Sequence, residues 1–176
     1  MIKLIGLEKE HLSYLLKWRN DPEVQRWIFQ KWPLSLAEQE KWFNSYLGNE
    51  RYKILTIYHE SDKKNIGYIR LASIDYQNSS VEIGGDIGER EYRGKGIGKI
   101  MYREALKLAF DELNMNRVYL HVLEDNEVAI NLYTKIGFKK DGLLRQFVFK
   151  DGKFRNVFVM SMLREEYLKI KETFAE

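Results

Sequence analysis

The sequence contains no cysteine among its 176 residues, which excludes thiol catalysis, zinc–thiolate sites and disulfide scaffolds. It has only two prolines, and 44% hydrophobic with 14% aromatic residues excludes intrinsic disorder as the main state. No apolar run approaches the length of about 20 residues that spans a bilayer, and charged residues near the first methionine predict that no signal peptide is present. The net charge of +3 is too small to indicate a nucleic-acid partner. We therefore expect one cytoplasmic domain over residues 1–176, with neither a membrane nor a nucleic acid as partner.

The hydrophobic periodicity changes along the chain and predicts both helices and strands. The predicted order is β-α-α-β-β-β-α-β-α-β-β, a mixed α/β (α+β) sheet with helices on both faces. Three strands with short connections between residues 53 and 88 predict an antiparallel meander. The amphipathic helix after Gly96 predicts a parallel crossover to a strand at residues 118–122. The last two strands are expected at residues 146–149 and 154–162.

Local signals predict where several elements begin and end. Ser35 and Glu38 have the spacing of a capping box, which opens a helix. Gly137 follows a helical pattern and predicts its left-handed end. Asp151-Gly152 between two β-rich runs predicts a tight hairpin.

A glycine-rich turn lies between a predicted strand and a strongly amphipathic helix. It consists of Arg93, Gly94, Lys95, Gly96, Ile97 and Gly98. Glycines let backbone N–H groups approach an anion closely, and a helix N-terminus adds a partial positive charge. Arg90 and Lys99 add two further cations nearby. The turn predicts a phosphate or pyrophosphate site, although a glycine-rich connection without a ligand would share the pattern.

Two common nucleotide motifs do not fit this turn. A P-loop requires a glycine five residues before its Gly-Lys pair, but Arg93 stands there and Ile100 follows Lys99. A dinucleotide fingerprint requires a third glycine where this chain has Lys99 or Met101. Both motifs are excluded.

The spacing of Arg93, Gly96 and Gly98 resembles the GNAT superfamily of acetyl-CoA-dependent N-acetyltransferases. A second match lies about 30 residues downstream, and the predicted element order extends the resemblance over nearly the whole chain. This second match consists of Asn126, Ala129, Leu132-Tyr133 and Gly137-Phe138. The resemblance implies acetyl-CoA as co-substrate, its pyrophosphate on the turn and its pantetheine arm against the downstream helix. The residues it implies as contacts of acetyl-CoA are Ile87, Gly88, Arg93, Gly94, Lys95, Gly96, Ile97, Gly98, Asn126 and Asn131.

Finer features are similar to one branch of that superfamily. They are residues 18–24, residues 81–84 and the Asp151-Gly152 hairpin. The branch contains ribosomal-protein alanine acetyltransferases, spermidine acetyltransferases and nucleotide-linked amino-sugar acetyltransferases. These features recur with different acceptors, so they do not select one amine.

Acetyl transfer requires a neutral amine and a proton for the leaving thiolate. Glu82 is the candidate base because it lies on the strand that leads into the turn, although a solvent-facing strand glutamate would look the same. His121 competes for this role because histidines titrate near neutral pH. Tyr133 is the candidate general acid that the resemblance implies, and a core tyrosine is the alternative.

Gly84-Gly85 within a strand predicts a bulge that separates this strand from its parallel neighbour. Such a gap would open backbone groups near Ile87 and Gly88 to the co-substrate. No metal is expected, since the three histidines are isolated and no carboxylate run has calcium-loop spacing.

Four tryptophans fall between residues 18 and 42, and two of them, Trp27 and Trp32, are candidates to line the acceptor pocket. Simple packing explains them equally well. Arg26 and Lys31 accompany a segment without acids, so an amino sugar or a peptide N-terminus is favoured and a polyamine is ranked third.

We expect an N-acetyltransferase that acts on a primary amine. The sequence leaves the oligomeric state open, and a homodimer is compatible with it because edge strands of this fold often pair. The alternative is a non-catalytic acetyl-CoA sensor on the same fold.

Overall fold

The computed structural model describes residues 1–30 and 32–174. The strands are β1 (Ile2–Gly6), β2 (Lys53–His59), β3 (Lys64–Asp75), β4 (Ser80–Ile87), β5 (Arg117–Leu123), β6 (Lys139–Lys150) and β7 (Lys153–Leu163). The helices are α1 (Leu12–Arg19), α2 (Pro22–Gln25), α3 (Leu36–Tyr46), α4 (Ile97–Lys107), α5 (Glu127–Ile136) and α6 (Arg164–Ile170). Within the described ranges, no helix combines the length and the hydrophobicity needed to cross a membrane.

The seven strands form one mixed sheet in the order β1-β2-β3-β4-β5-β7-β6. The antiparallel meander is confirmed, because β2, β3 and β4 are neighbours with antiparallel pairing. The crossover through α4 is also confirmed, because β4 and β5 are parallel.

Adjacent residues of β3 show that both faces of the sheet are covered. Ile69 packs into a large core with α4 and α6, whereas Tyr68 packs into a smaller one with α1 and α3. Successive side chains of a strand point to opposite faces. The predicted helices on both faces are therefore confirmed.

The local signals for element ends are confirmed. The Ser35 side chain accepts the Glu38 N–H at 3.2 Å, and the Glu38 carboxylate accepts the Ser35 N–H at 2.8 Å. Gly137 closes α5 with φ of 116°. Asp151 and Gly152 both have positive φ, as a type I′ hairpin requires.

The prediction for β6 was wrong at its start. The strand begins at Lys139, seven residues before the predicted 146. Its first half carries mostly polar or exposed side chains, so the sequence lacks a strand period there. Pairing of the backbone with β7 nevertheless makes it a strand.

The strands β4 and β5 separate beyond Glu82, and this gap positions the site. They pair only from Ser80 to Glu82, after which β4 continues to Ile87 without β5. The separation is confirmed, but the bulge predicted at Gly84-Gly85 was wrong, because β4 keeps an unbroken register with β3 there. Gly85 instead permits close pairing, since a Cβ at this position would overlap the Tyr68 carbonyl oxygen.

Candidate active site

The glycine turn presents the N-terminus of α4 to a large cleft. Gly94 and Gly96 have φ of 72° and 78°, a region that side chains disfavour, and Gly96 caps the helix. The hydrogen bonds of the helix begin at Lys99, whose N–H donates to the Gly96 carbonyl at 3.0 Å. The N–H groups of Gly94 to Gly98 donate to no backbone carbonyl of the described residues and are therefore available to an anion.

Arg93 braces this turn. Its guanidinium donates to the carbonyls of Ile87 at 2.8 Å and Gly88 at 2.7 Å. It also pairs with the carboxylates of Asp21 and Glu23 at 3.3 and 2.7 Å. These partners occupy four of its five N–H donors, so the side chain fixes the end of β4 against the segment after α1.

Gly88 is required by packing against Trp18. A Cβ at Gly88 would overlap the indole ring. Both lie beside the buried carboxylate of Glu89, which accepts the Trp18 indole N–H at 2.8 Å.

The cleft has a volume of about 1230 Å³ and runs from the turn, past the gap between β4 and β5, to the segment after α2. Of the candidate residues, its lining includes Trp27, Ile87, Arg93, Gly94, Gly96, Gly98, Asn126, Asn131 and Tyr133. The candidates Glu82, Gly88, Lys95, Ile97 and Trp32 are not part of that lining. One continuous cleft thus joins the turn, α5 and the aromatic segment.

Tyr133 lies half-buried on the wall formed by α5. Its hydroxyl is 3.0 Å from the hydroxyl of Tyr102 on α4. Burial raises the pKa of Tyr133 to about 12, and the hydrogen bond with Tyr102 acts in the opposite direction. Asn126 begins the same helix, with its side chain accepting the Ala129 N–H at 3.2 Å. A protonated phenol therefore faces the cleft.

Glu82 lies behind the cleft lining and contacts two residues that belong to it. Its carboxylate accepts from Arg70 at 2.8 Å and lies 3.4 Å from Nδ1 of His121. Burial raises the pKa of Glu82, but the hydrogen bonds and charges of His121 and Arg70 outweigh burial and hold that pKa below its ordinary value. The carboxylate is thus ionised, and His121 is the member of this pair that reaches the cleft.

Asp86 is a carboxylate of the cleft lining that could not be selected from the motifs in the sequence. It accepts from the Tyr68 hydroxyl at 3.3 Å. Burial is the main cause that raises its pKa above the ordinary value. Alternation along β4 places it on the same face as Glu82, and that spacing was the available signal.

Trp27 and Trp32 differ in position. Trp27 lines the cleft with the Arg26 guanidinium 4.9 Å from its ring centroid, whereas Trp32 is 62% exposed and lies outside the lining. Lys31, which entered the charge argument, falls outside the described residues. Across the part of the chain that the structure describes, no three acidic or histidine side chains cluster as a metal site would require.

Comparison with known proteins gives concordant results. A family model described as "Acetyltransferase (GNAT) domain" matches residues 2–139. The spermidine N(1)-acetyltransferase of Vibrio cholerae is 28% identical over 171 residues, which cover 97% of this chain and 98% of the relative. A crystal structure of the Vibrio cholerae spermidine N-acetyltransferase with CoA and spermine is similar, with TM-score 0.90, 28% identity and coverage of 95% and 98%. A dodecameric structure of the Vibrio cholerae enzyme has TM-score 0.84, 29% identity and coverage of 95% and 96%. The resemblance and the fold expected from it are confirmed.

Proposed function

This chain belongs to the GNAT acetyltransferase family and is an acetyl-CoA-dependent N-acetyltransferase, and on that premise we propose that its acceptor is a polyamine such as spermidine or spermine. The observation that carries the proposal is the similarity to spermidine N-acetyltransferases over almost the full length of both chains. On sequence alone a polyamine ranks third, because residues 27–33 contain no acid. This proposal replaces that ranking.

The cleft itself supplies the acidic groups that the segment lacks. Asp86 lies in its lining, and Glu82 lies just behind it on the same face of β4. The positive charge of Arg70 is already paired with Glu82. Asp86 accepts from the neutral Tyr68 hydroxyl and forms no ion pair within the described residues, while Arg93, Arg70 and Arg19 act on it from a distance. Asp86 is therefore suited to hold an ammonium group, with Trp27 as an aromatic wall beside an alkyl chain.

The turn and the gap between β4 and β5 suit acetyl-CoA. The free N–H groups at the start of α4 would hold the pyrophosphate, with Lys99 beside them in the cleft. Asn126 and Asn131 on α5 would flank the pantetheine arm, and the unpaired part of β4 up to Ile87 would offer it backbone groups. Bound acetyl-CoA supplies the acetyl thioester as electrophile.

The side chains divide the two proton transfers between them. Glu82 holds Nδ1 of His121, which leaves Nε2 to take a proton from the acceptor ammonium, directly or through water. The neutral nitrogen then forms a C–N bond with the thioester carbon as the C–S bond breaks, and it loses its second proton to solvent as the amide forms. Tyr133 donates its hydroxyl proton to the departing thiolate sulfur. Glu82, the original candidate base, thus acts through His121.

An acceptor screen with thiol release as readout tests the acceptor. The kcat/KM for spermidine or spermine should exceed that for an N-terminal alanine peptide and for a nucleotide-linked amino sugar. Asp86→Asn should raise the spermidine KM about tenfold, because an ammonium loses its carboxylate partner. Glu104→Gln, which removes a carboxylate of α4 outside the cleft lining, is the matched control and should leave that KM unchanged.

Preference for the peptide or the amino sugar would overturn the polyamine proposal. An equal KM shift in both variants would remove Asp86 from the acceptor site. Because a related enzyme is dodecameric, we extend the proposal to self-association, and light scattering on the same preparation should give a mass above that of one chain.

A further inference from the structure

The general acid proposed for this reaction has a tyrosine neighbour that the mechanism does not use. Tyr102 projects from the buried face of α4 and is 1% exposed. Its hydroxyl is 3.0 Å from the Tyr133 hydroxyl and 3.3 Å from the carbonyl oxygen of Gly85. The two rings meet edge to face, with centroids 5.1 Å apart. The contact therefore couples α4, α5 and the separated part of β4 at one point.

The number of hydroxyl protons limits the hydrogen bonds that Tyr102 can donate to Tyr133 and Gly85. A tyrosine hydroxyl carries one proton, and the Gly85 carbonyl can only accept. Tyr102 therefore donates either to Gly85 or to Tyr133. When it donates to Gly85, it can receive the proton of Tyr133. When it donates to Tyr133, the proton of Tyr133 is free to leave towards the cleft.

We propose that Tyr102 is a positioning residue for Tyr133, and that its hydroxyl donates to the Tyr133 oxygen as that oxygen gives its proton to the thiolate. This inference rests on the proposed role of Tyr133 as general acid. The O–H bond of Tyr133 breaks, an S–H bond forms on coenzyme A, and the phenolate left behind accepts from Tyr102. A proton from solvent, equivalent to the second one that the amine nitrogen releases, restores Tyr133, and the proton taken by His121 is the net proton released.

The surroundings of the two hydroxyls support this direction of donation. A phenolate is a stronger acceptor than an amide carbonyl, so charge on Tyr133 draws the Tyr102 proton away from Gly85. Burial and the Asp86 carboxylate both raise the pKa of Tyr133, while the hydrogen bond from Tyr102 lowers it. Burial, followed by Tyr133 itself, holds the pKa of Tyr102 well above its ordinary value, so Tyr102 keeps its proton.

Tyr102→Phe keeps the ring and removes only the hydroxyl. We expect kcat to fall between about 5-fold and 50-fold when chemistry limits turnover, because hydrogen bonds to charged groups are the stronger class. The KM for acetyl-CoA should not change. Tyr167→Phe is the matched control, since Tyr167 is equally buried and donates to Asp111 at 2.6 Å away from the cleft. It should leave kcat within about twofold.

A double-mutant cycle separates a role through Tyr133 from a structural one. Tyr133→Phe alone should lower kcat by about 10-fold to 1,000-fold. In that background, Tyr102→Phe should cost no more than about twofold further, because the hydroxyl that it serves is gone. Full additivity of the two losses would overturn the role of Tyr102. An unchanged kcat in Tyr133→Phe would instead overturn the proposed acid, which is a different failure.

A second variant and the acetyl-CoA KM complete the test. If Tyr102→Phe does not fold, Tyr102→Met fills a similar space without a hydroxyl, and the same cycle is measured with it. A fall in kcat accompanied by an equal rise in the acetyl-CoA KM would indicate displaced packing around α4 and would also overturn the proposal.

Discussion

At the scale of single residues, the base that we propose is a histidine–carboxylate pair in which only the histidine reaches the cleft. Glu82 is tied to Arg70 and faces Nδ1 of His121, which lines the cleft. His121→Asn is expected to lower kcat/KM for the amine by about 100-fold or more, the usual scale for a lost general base. Glu82→Gln should cost about 10-fold, because glutamine holds the imidazole ring without its charge. Steady-state kinetics at saturating acetyl-CoA measures both.

His59 provides the control for this pair. Its Nδ1 lies 3.0 Å from the Asp62 carboxylate, so it is also a histidine–carboxylate pair, but it is not part of the cleft lining. His59→Asn should leave kcat/KM unchanged. An inactive Glu82→Gln beside a fully active His121→Asn would place the base on Glu82 itself.

The residues that the sequence could predict are those whose chemistry is tied to a spacing. Tyr133 and Asn126 belong to a motif, and the structure places both on the cleft. Tyr102 could not be selected, because it lies within the apolar face of α4 and its hydroxyl meets Gly85 and Tyr133 only in the folded chain. Trp32 is the opposite case, a residue selected from the sequence that lies outside the cleft lining. An irregular segment has no period that would indicate which way its tryptophan faces.

At the scale of elements, the turn that begins α4 depends on backbone donors rather than on side chains. A Cβ at Gly96 would meet no atom within 4 Å, so a substitution there acts through its charge and through the φ of 78°. Asn and Asp tolerate this conformation about equally. Gly96→Asp places a carboxylate where the pyrophosphate is expected and should weaken acetyl-CoA binding by about 100-fold or more. Gly96→Asn, its neutral counterpart, should cost far less.

Calorimetric titration with acetyl-CoA measures this difference directly. Equal affinities for Gly96→Asp and Gly96→Asn would show that no anion binds at the start of α4. Circular dichroism of both variants should match the unmodified protein, because the substituted position lies in open space.

Elements with a strong period or a capping signal were predictable, and those formed by pairing alone were not. The helix opened by Ser35 and the hairpin at Asp151-Gly152 are local events that turn and cap chemistry specify. The first half of β6 depends on β7, so its own residues carry no period. The gap between β4 and β5 was predictable from two glycines, although their packing role against β3 was not.

At the scale of the whole molecule, one buried carboxylate joins α1 and the start of β3 to the segment between β4 and the turn. Glu89 accepts from Lys17 and Trp18 of α1 at 2.7 and 2.8 Å and from Lys64 of β3 at 3.2 Å. Burial alone would raise its pKa, but these three hydrogen bonds lower it to about 2. Glu89 lies two residues after the end of β4, so its loss would loosen α1, β3 and the approach to the turn together.

The lowered pKa of Glu89 predicts a specific loss of stability in acid. Because the folded-state pKa lies below the ordinary value of 4.5, the ionised carboxylate stabilises the fold above about pH 4.5, and this contribution is lost as the pH falls towards 2. The contribution is on the order of 3 kcal/mol.

Glu89→Gln should therefore lower the free energy of unfolding at pH 7 and flatten its fall between pH 5 and pH 3. Urea unfolding of both proteins across this range measures the difference. Lys64 also lowers the pKa of Glu91, but solvent screens this exposed pair, so Glu91→Gln should run nearly parallel to the unmodified protein. If Glu89→Gln also runs parallel to it, Glu89 is not the group that couples protonation to unfolding.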